Sequence, residues 1–276
     1  MSNSISSIKT RIKSINSTKK ITGAMKSVST VKINRMTKIT SKNNEYQNAL
    51  GIISDALSSS KIDHDSQYCL KFEGKELVVV FASDVGLCGS YNESLVSYIK
   101  KNVKKNTQLY VIGTSIYNTL QTNGYNIINE QIKSDDIDYY KIATIYNYIL
   151  DKFFNREIAK VNILYNSFVN SITYNTTFKT LLPFERKDNE NSKEILIEQK
   201  PSEIFDDVID LCLKGDFYNI YLNAKTSEQV ARRFAMENAT KNAEDLIDEL
   251  TLDYNKARQG SITQEITEIV TGASAL

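Results

Sequence analysis

The sequence predicts an α/β domain inserted between two long helices that pair as an antiparallel coiled coil. Two observations carry this expectation. Both ends run as long, helix-spaced stretches of opposite charge with no proline in their interiors, and the middle alternates short apolar runs with amphipathic segments. The first 44 residues hold ten Lys or Arg and no acid, the first being Glu45. Residues 201–276 hold fourteen acids against seven bases, a net of −7, so the overall charge of +1 conceals a strong asymmetry. Exposed ion pairs contribute only ~0.2–1 kcal/mol each. Opposite charge on two helices therefore selects partner and orientation more than it stabilises.

The first element is a helix over residues 1–58. Ile5, Ile8, Ile12 and Ile15 follow the 3-4-3 spacing of one helix face. After a polar stretch from Asn16 to Lys20, the stripe resumes slightly out of phase at Ile21, Met25 and Val28. It continues through Val31, Ile39, Tyr46, Leu50, Ile53 and Leu57, with Ser58-Ser59-Ser60 as the stop. Such a helix is ~80 Å long at 1.5 Å per residue and cannot bury itself. It needs a partner helix.

The middle domain spans 75–200. Glu76 to Ser83 reads as a buried strand, Asp84 to Ser90 as a turn, and Tyr91 to Lys104 as a helix. Leu109–Ile112 is a second strand, Ile116–Thr122 a short helix, and Tyr125–Asn129 a third strand. Asp136–Phe154 is helical and Val161–Val169 a fourth strand. This alternation implies right-handed βαβ units, a mainly parallel sheet and a Rossmann-like domain. Ser171–Leu181 adds an antiparallel strand that Pro183 ends. A polar loop at 187–193 and an edge strand at 194–198 follow. Pro201 then opens the third segment, a helix over 201–276, as a first helical residue should. Ala239, Ala243, Leu246, Leu250, Tyr254 and Ala257, then Ile262, Ile266 and Ile269, mark its apolar face. Gly215 weakens this helix by about 1 kcal/mol relative to Ala without breaking it. Gly260 and Ser261 mark a local loosening.

Composition excludes several kinds of chemistry. Hydrophobic residues are 41% of the chain, and no apolar run approaches the ~20 residues of a membrane span. The basic N-terminus lacks the apolar block of a secretory signal. Cys69, Cys88 and Cys212 are widely spaced and odd in number, as expected of reduced thiols. His64, the only histidine, sits in a polar stretch that reads as a solvated loop, which removes most histidine-based acid–base and metal chemistry. The Asp84–Ser90 turn lies where nucleotide sites form in doubly wound folds, but it is not G-x-G-x-x-G. Its glycines more simply permit a tight turn. Cys88, with no His or Lys near in sequence, reads as structural. The basic front could meet phosphates, yet its bases alternate with isoleucines and the acidic C-terminal helix supplies a counter-charge. Glu244, Asp245, Asp248 and Glu249 read as a solvated helix face.

Several segments resemble the ATP synthase gamma subunit, in the same order along essentially the whole chain. The run from Tyr254 to Ala273 is similar to the end of that family's chains. Ile8 to Ile15, with Thr18 to Thr22 and Ala24-Met25, is similar to its first helix. Asp84-Val85-Gly86-Leu87-Cys88-Gly89 resembles the family turn D-R-G-L-C-G, with Val85 in place of Arg. Tyr165 to Asn170 and Leu181-Leu182-Pro183 also fit. The bacterial form is the better match, there being no transit-like presequence. The resemblance implies a non-catalytic central-stalk rotor, without a cofactor, that couples ion flow through a membrane ring to shape changes at catalytic sites on beta subunits. It implies alpha, beta and epsilon subunits and the membrane c-ring as partners, with no nucleic acid, no membrane span of its own, and a peripheral position on the cytoplasmic face of the bacterial membrane. It also implies that Met25 and Lys26 face a beta-subunit lever and that Arg258, Gln259 and Thr263 meet head-subunit loops. Ala273 and Leu276 belong to the apolar tip held in the upper bearing.

Overall fold

The central strand β1 (Lys75–Phe81) dictates the layering of the sheet domain. Leu77, Val79 and Phe81 point into one core, and Val78, Val80 and Ala82 into another. A strand apolar on both faces must be covered on both. The computed structural model describes residues 2–59, 66–135, 137–170, 173–185 and 201–274. These form two compact units, one from Met1–Thr30 with Arg232–Leu276 and one from Val31–Ala231.

The second unit holds a five-stranded sheet in the order β3-β2-β1-β4-β5. β2 (Gln108–Ile112), β3 (Asn126–Ile127) and β4 (Ile158–Phe168) extend it in parallel. β5 (Tyr174–Leu182) returns antiparallel along β4, opposing Phe178 to Leu164. The expected mainly parallel, Rossmann-like sheet is the observed one. α2 (Tyr91–Asn102) and α3 (Tyr117–Thr122) cover one face through Tyr91, Leu95, Ile99 and Leu120. α4 (Tyr139–Phe154) covers the other, together with Phe205, Ile209, Leu213, Phe217 and Ala224 of α5 (Pro201–Ser274). Asp210 of α5 accepts hydrogen bonds from the phenols of Tyr68 (3.2 Å) and Tyr146 (2.9 Å), fastening the chain after α1 (Ser2–Ser59) to α4 and α5.

β3 and α4 each fall three residues short of their sequence patterns. β3 covers only Asn126–Ile127 because the Asn129 side chain replaces a strand partner, accepting from Val111 N (2.8 Å) and donating to Val111 O (2.9 Å). α4 begins at Tyr139 because Asp138 caps it, accepting from Lys141 N at 2.8 Å. Both long helices are continuous: α5 passes through Gly215, and the loosening expected at Gly260 and Ser261 is absent. No described helix is long and apolar enough to cross a membrane. The expected histidine loop at His64, the polar loop at 187–193 and the edge strand at 194–198 lie outside the described residues.

The seam of α1 corrects the sequence reading. Positions of reduced exposure recur at Ile5, Ile8, Ile12, Ile15, Lys19, Thr22, Lys26, Ser29, Ile33, Met36, Thr40, Asn43, Gln47 and Leu50, an unbroken 3-4 repeat, with Asn16, Gly23 and Met25 half-buried beside it. No phase shift occurs. The stripe simply turns polar, and the out-of-phase residues Ile21, Val28, Val31, Ile39 and Tyr46 are exposed. Within the second unit Cys212 Sγ of α5 donates to Leu50 O on this seam (3.7 Å), and at its exposed edge Asn219 Nδ2 donates to Asn44 Oδ1 (2.9 Å). There Gln47 Nε2 lies 1.6 Å from where a Cβ on Gly215 would stand, so the glycine makes room for the glutamine.

Candidate functional site

In the first unit, α1 and α5 pair antiparallel through polar contacts. Lys19 Nζ meets Glu244 Oε1 at 3.0 Å, the Thr22 and Thr240 hydroxyls share a 2.8 Å hydrogen bond, and Lys26 Nζ donates to Glu237 Oε1 at 2.9 Å. Each step up α1 is matched by a step down α5. The expected meeting of a basic front with an acidic back is thus realised by named pairs. The Lys26 ammonium holds the Glu237 carboxyl below its usual range, by hydrogen bond first and by charge second.

On α5 the seam runs Met236, Thr240, Ala243, Ile247, Leu250, Tyr254, Ala257 and Ser261. Ala243, Leu250, Tyr254 and Ala257 were expected there, but Leu246 is exposed and Ile247 takes its place. Ile262, Ile266 and Ile269, expected to continue the seam, are exposed too, as is Val270. The reason is length. Counting back from the Lys19–Glu244 pair, Ser2 comes level with Ser261, so beyond that point α5 outruns α1 and has no helical partner among the described residues.

The partner-contact candidates therefore fall into separate places along this pair. Met25 and Lys26 are half-buried neighbours at the level of Glu237. Lys26 is engaged with that acid, while Met25 lies between Ile21 and Val28, which are 61% and 57% exposed, on an outward stripe. Arg258, Gln259 and Thr263 are exposed on consecutive turns, and Thr263 Oγ1 donates to Gln259 O (2.9 Å). They stand about 20 residues farther along α5 than Glu237, roughly 30 Å at 1.5 Å per residue. Ala273 is exposed near the helix end, and Leu276 lies outside the described residues. What the sequence reading missed is the polar middle of the seam at Lys19, Thr22, Lys26 and Ser29. Counting threes and fours onward from Ile5 regardless of polarity would have found it.

The Asp84–Ser90 turn, the alternative ligand site, spends its polar groups inside the fold. The Asp84 carboxylate accepts from the backbone N–H groups of Thr114 (3.2 Å), Ser134 (2.8 Å) and Asp135 (2.7 Å). Cys88 is buried beside the Ser83 hydroxyl and receives Asn92 Nδ2 at 3.5 Å. Leu87 and Gly89 take the left-handed backbone that makes the turn tight. Cavities of about 520, 440 and 300 Å³ open elsewhere on this unit, and residues 84–90 line none of them.

The ATP synthase family model matches residues 4–276. The ATP synthase gamma chain of Clostridium kluyveri is 37% identical over 275 residues, covering 98% of this chain and 97% of that one. That of Clostridium botulinum is 36% identical over 274 residues, covering 97% and 96%. Among solved structures, the rotor of the Euglena gracilis mitochondrial ATP synthase superposes with a TM-score of 0.69 at 16% identity, over 95% of this chain and all of that one. The central stalk and c-ring structure of the Tetrahymena thermophila enzyme gives 0.57 at 24% identity, over 79% and 99%. At such identities these structures speak for the fold. The clostridial relatives match along nearly their whole lengths, and on that ground the chain belongs to the ATP synthase gamma chain family.

Proposed function

We propose that this chain is the central-stalk rotor of a proton- or sodium-translocating ATP synthase, itself non-catalytic, peripheral to the membrane and acting on its cytoplasmic face. The helical segments 1–58 and 201–276 form the shaft within the head of alpha and beta subunits. The α/β domain at 75–200 meets the epsilon subunit and the membrane ring. Met25 and Lys26 face the lever of a beta subunit, Arg258, Gln259 and Thr263 meet head-subunit loops, and Ala273 and Leu276 turn in the upper bearing.

The observation that carries this reading is the unpaired end of α5. A helix that outruns its partner while exposing Ile262, Ile266, Ile269 and Val270 is built to be covered by something else. Ile21 and Val28, left outward by the seam with half-buried Met25 between them, support it in the same way. Reconstitution tests the proposal: ATP hydrolysis by alpha and beta subunits should appear only when this chain is added. Equal hydrolysis without it would refute the rotor role.

A further inference from the structure

Lys225 of α5 is a charged side chain buried among charged and polar groups, and the shaft contacts above make no use of it. Its ammonium donates to Glu228 Oε2 one turn along α5 (2.7 Å), to Ser134 Oγ (2.9 Å) and to Asp135 Oδ1. Lys225 is 4% exposed and Glu228 2%. Burial alone would push the ammonium down, but the Glu228 and Asp135 carboxylates outweigh it and hold Lys225 above its usual range, so it stays charged.

The cluster ties three layers together. Asp135 Oδ2 reaches Lys32 of α1 at 3.8 Å. The backbone of 134–135 is gripped from the sheet side by Asp84, in the turn after β1. The Tyr221 hydroxyl of α5 donates to Ser134 O (3.1 Å) and Ile137 O (3.0 Å). One loop thus links the sheet to both long helices.

A buried ion pair is a poor stabiliser, because desolvation consumes most of its attraction and an apolar replacement often does as well. What it supplies is direction. The Phe205–Phe217 face of α5 already holds the helix on the sheet through apolar contact, which is non-directional. Hydrogen-bonded charges fix which way the helix faces.

We propose that the Lys225–Glu228–Asp135 cluster is a positioning key that holds the α/β domain against α1 and α5 under rotational load. This rests on the rotor reading, in which load enters through that domain and leaves through the helices.

The test uses the whole ATP synthase in liposomes, carrying Lys225→Met or the neutral triple variant Lys225→Met, Glu228→Gln, Asp135→Asn, which leaves no unpaired buried charge. Hydrolysis with the membrane made leaky, where the rotor turns without load, should stay within about twofold per assembled complex. Gradient-driven ATP synthesis should fall about tenfold, within the range such couplings show. Lys32→Met, which removes only the longer and more exposed contact, should change neither greatly. A proportional fall in both activities, or none in either, would overturn the key. So would failure of the neutral triple variant to assemble, which would make the cluster merely structural. If the unmodified chain does not support hydrolysis, it is the rotor reading that falls.

Discussion

Replacing Ile266, Ile269 and Val270 by serine tests the unpaired end of α5 most directly. Their side chains are 56%, 70% and 61% exposed, so covering them in a bearing would bury the equivalent of about two whole aliphatic side chains. At about 1.5–3 kcal/mol for each fully buried side chain, that is about 3–6 kcal/mol of transfer free energy. Association recovers only part of this, because imperfect fit and ordering oppose it. A loss of about 3 kcal/mol, roughly a hundredfold in Kd, is the expected size of what remains. The free chain should scarcely notice. Ile and Ser have similar helix propensities, and exposed substitutions usually stay within about 0.5 kcal/mol. The assay titrates fluorescently labelled chain into heads assembled from alpha and beta subunits, and thermal unfolding of the free variant serves as control. An unchanged Kd with an unchanged Tm would show that these residues are not covered in the complex, and the reading of the tip would fail.

Three further outcomes follow from the contacts. Asp84→Ala removes the acceptor for three backbone N–H groups, each such charge-assisted bond contributing about 1.5–3 kcal/mol. Denaturant unfolding should show a loss of about 4–5 kcal/mol, the low end of that sum, at unchanged m, and a loss under about 1 kcal/mol would mean water replaces the carboxylate freely. Gly215→Ala gains about 1 kcal/mol of helix propensity but collides with the Gln47 amide, so alone it should be close to neutral. Combined with Gln47→Ala the gain should emerge, giving about 1 kcal/mol of coupling in a double-mutant cycle, whereas additive effects would show the contact to be inert. Glu237, whose carboxyl Lys26 holds below its usual value of 4.5, contributes stability that is present above that value and lost as pH falls through the lower folded one. The Tm difference between the chain and Glu237→Gln should therefore be constant at neutral pH and close in acid, and a difference that persists below the folded value would contradict the pairing.

The sheet was legible because its rule is local. The run Leu77–Phe81 is apolar at every residue, and Val161–Leu164 at every residue but Asn162, which in a short segment leaves a strand covered on both faces as the simplest solution. β3 was overread because nothing in Tyr125–Asn129 announces that the Asn129 side chain will stand in for a ladder partner. The helices were legible as helices and misread as faces. Apolar spacing proposed Ile21, Met25 and Val28 for the seam, and polar residues took it. The sheet-facing stripe of α5 at Phe205, Ile209, Leu213 and Phe217 has four-residue spacing as plain as that of the tip, and would have predicted that α5 serves two partners. Lys225 was invisible for a different reason. A lysine three residues before a glutamate on a helix reads as a solvated pair, and only the fold brings Ser134 and Asp135 to it from about ninety positions away.

Why the seam turns polar while apolar residues face out has a physical answer in the rigidity of the helix. Ile5, Ile8, Ile12 and Ile15 set the phase, and a continuous helix drifts from it by only about 20° per heptad, so Lys19, Thr22 and Lys26 arrive inward whatever their polarity. Rotating the segment to bury Ile21 and Val28 would forfeit the isoleucines. Acidic and hydroxyl partners on α5, Glu244, Thr240 and Glu237, make the polar turns tolerable. The cost is stability in the isolated chain, where exposed ion pairs replace the larger return of an apolar seam. The gain is in the direction of the contacts. Apolar side chains left outward are available to a surrounding partner, while hydrogen-bonded pairs fix how α1 and α5 face each other. A shaft that passes on rotation needs both, an outer surface that others can grip and an inner seam that does not slip. The same division recurs in the second unit, where apolar contact holds α5 to the sheet and the Lys225 cluster sets its angle.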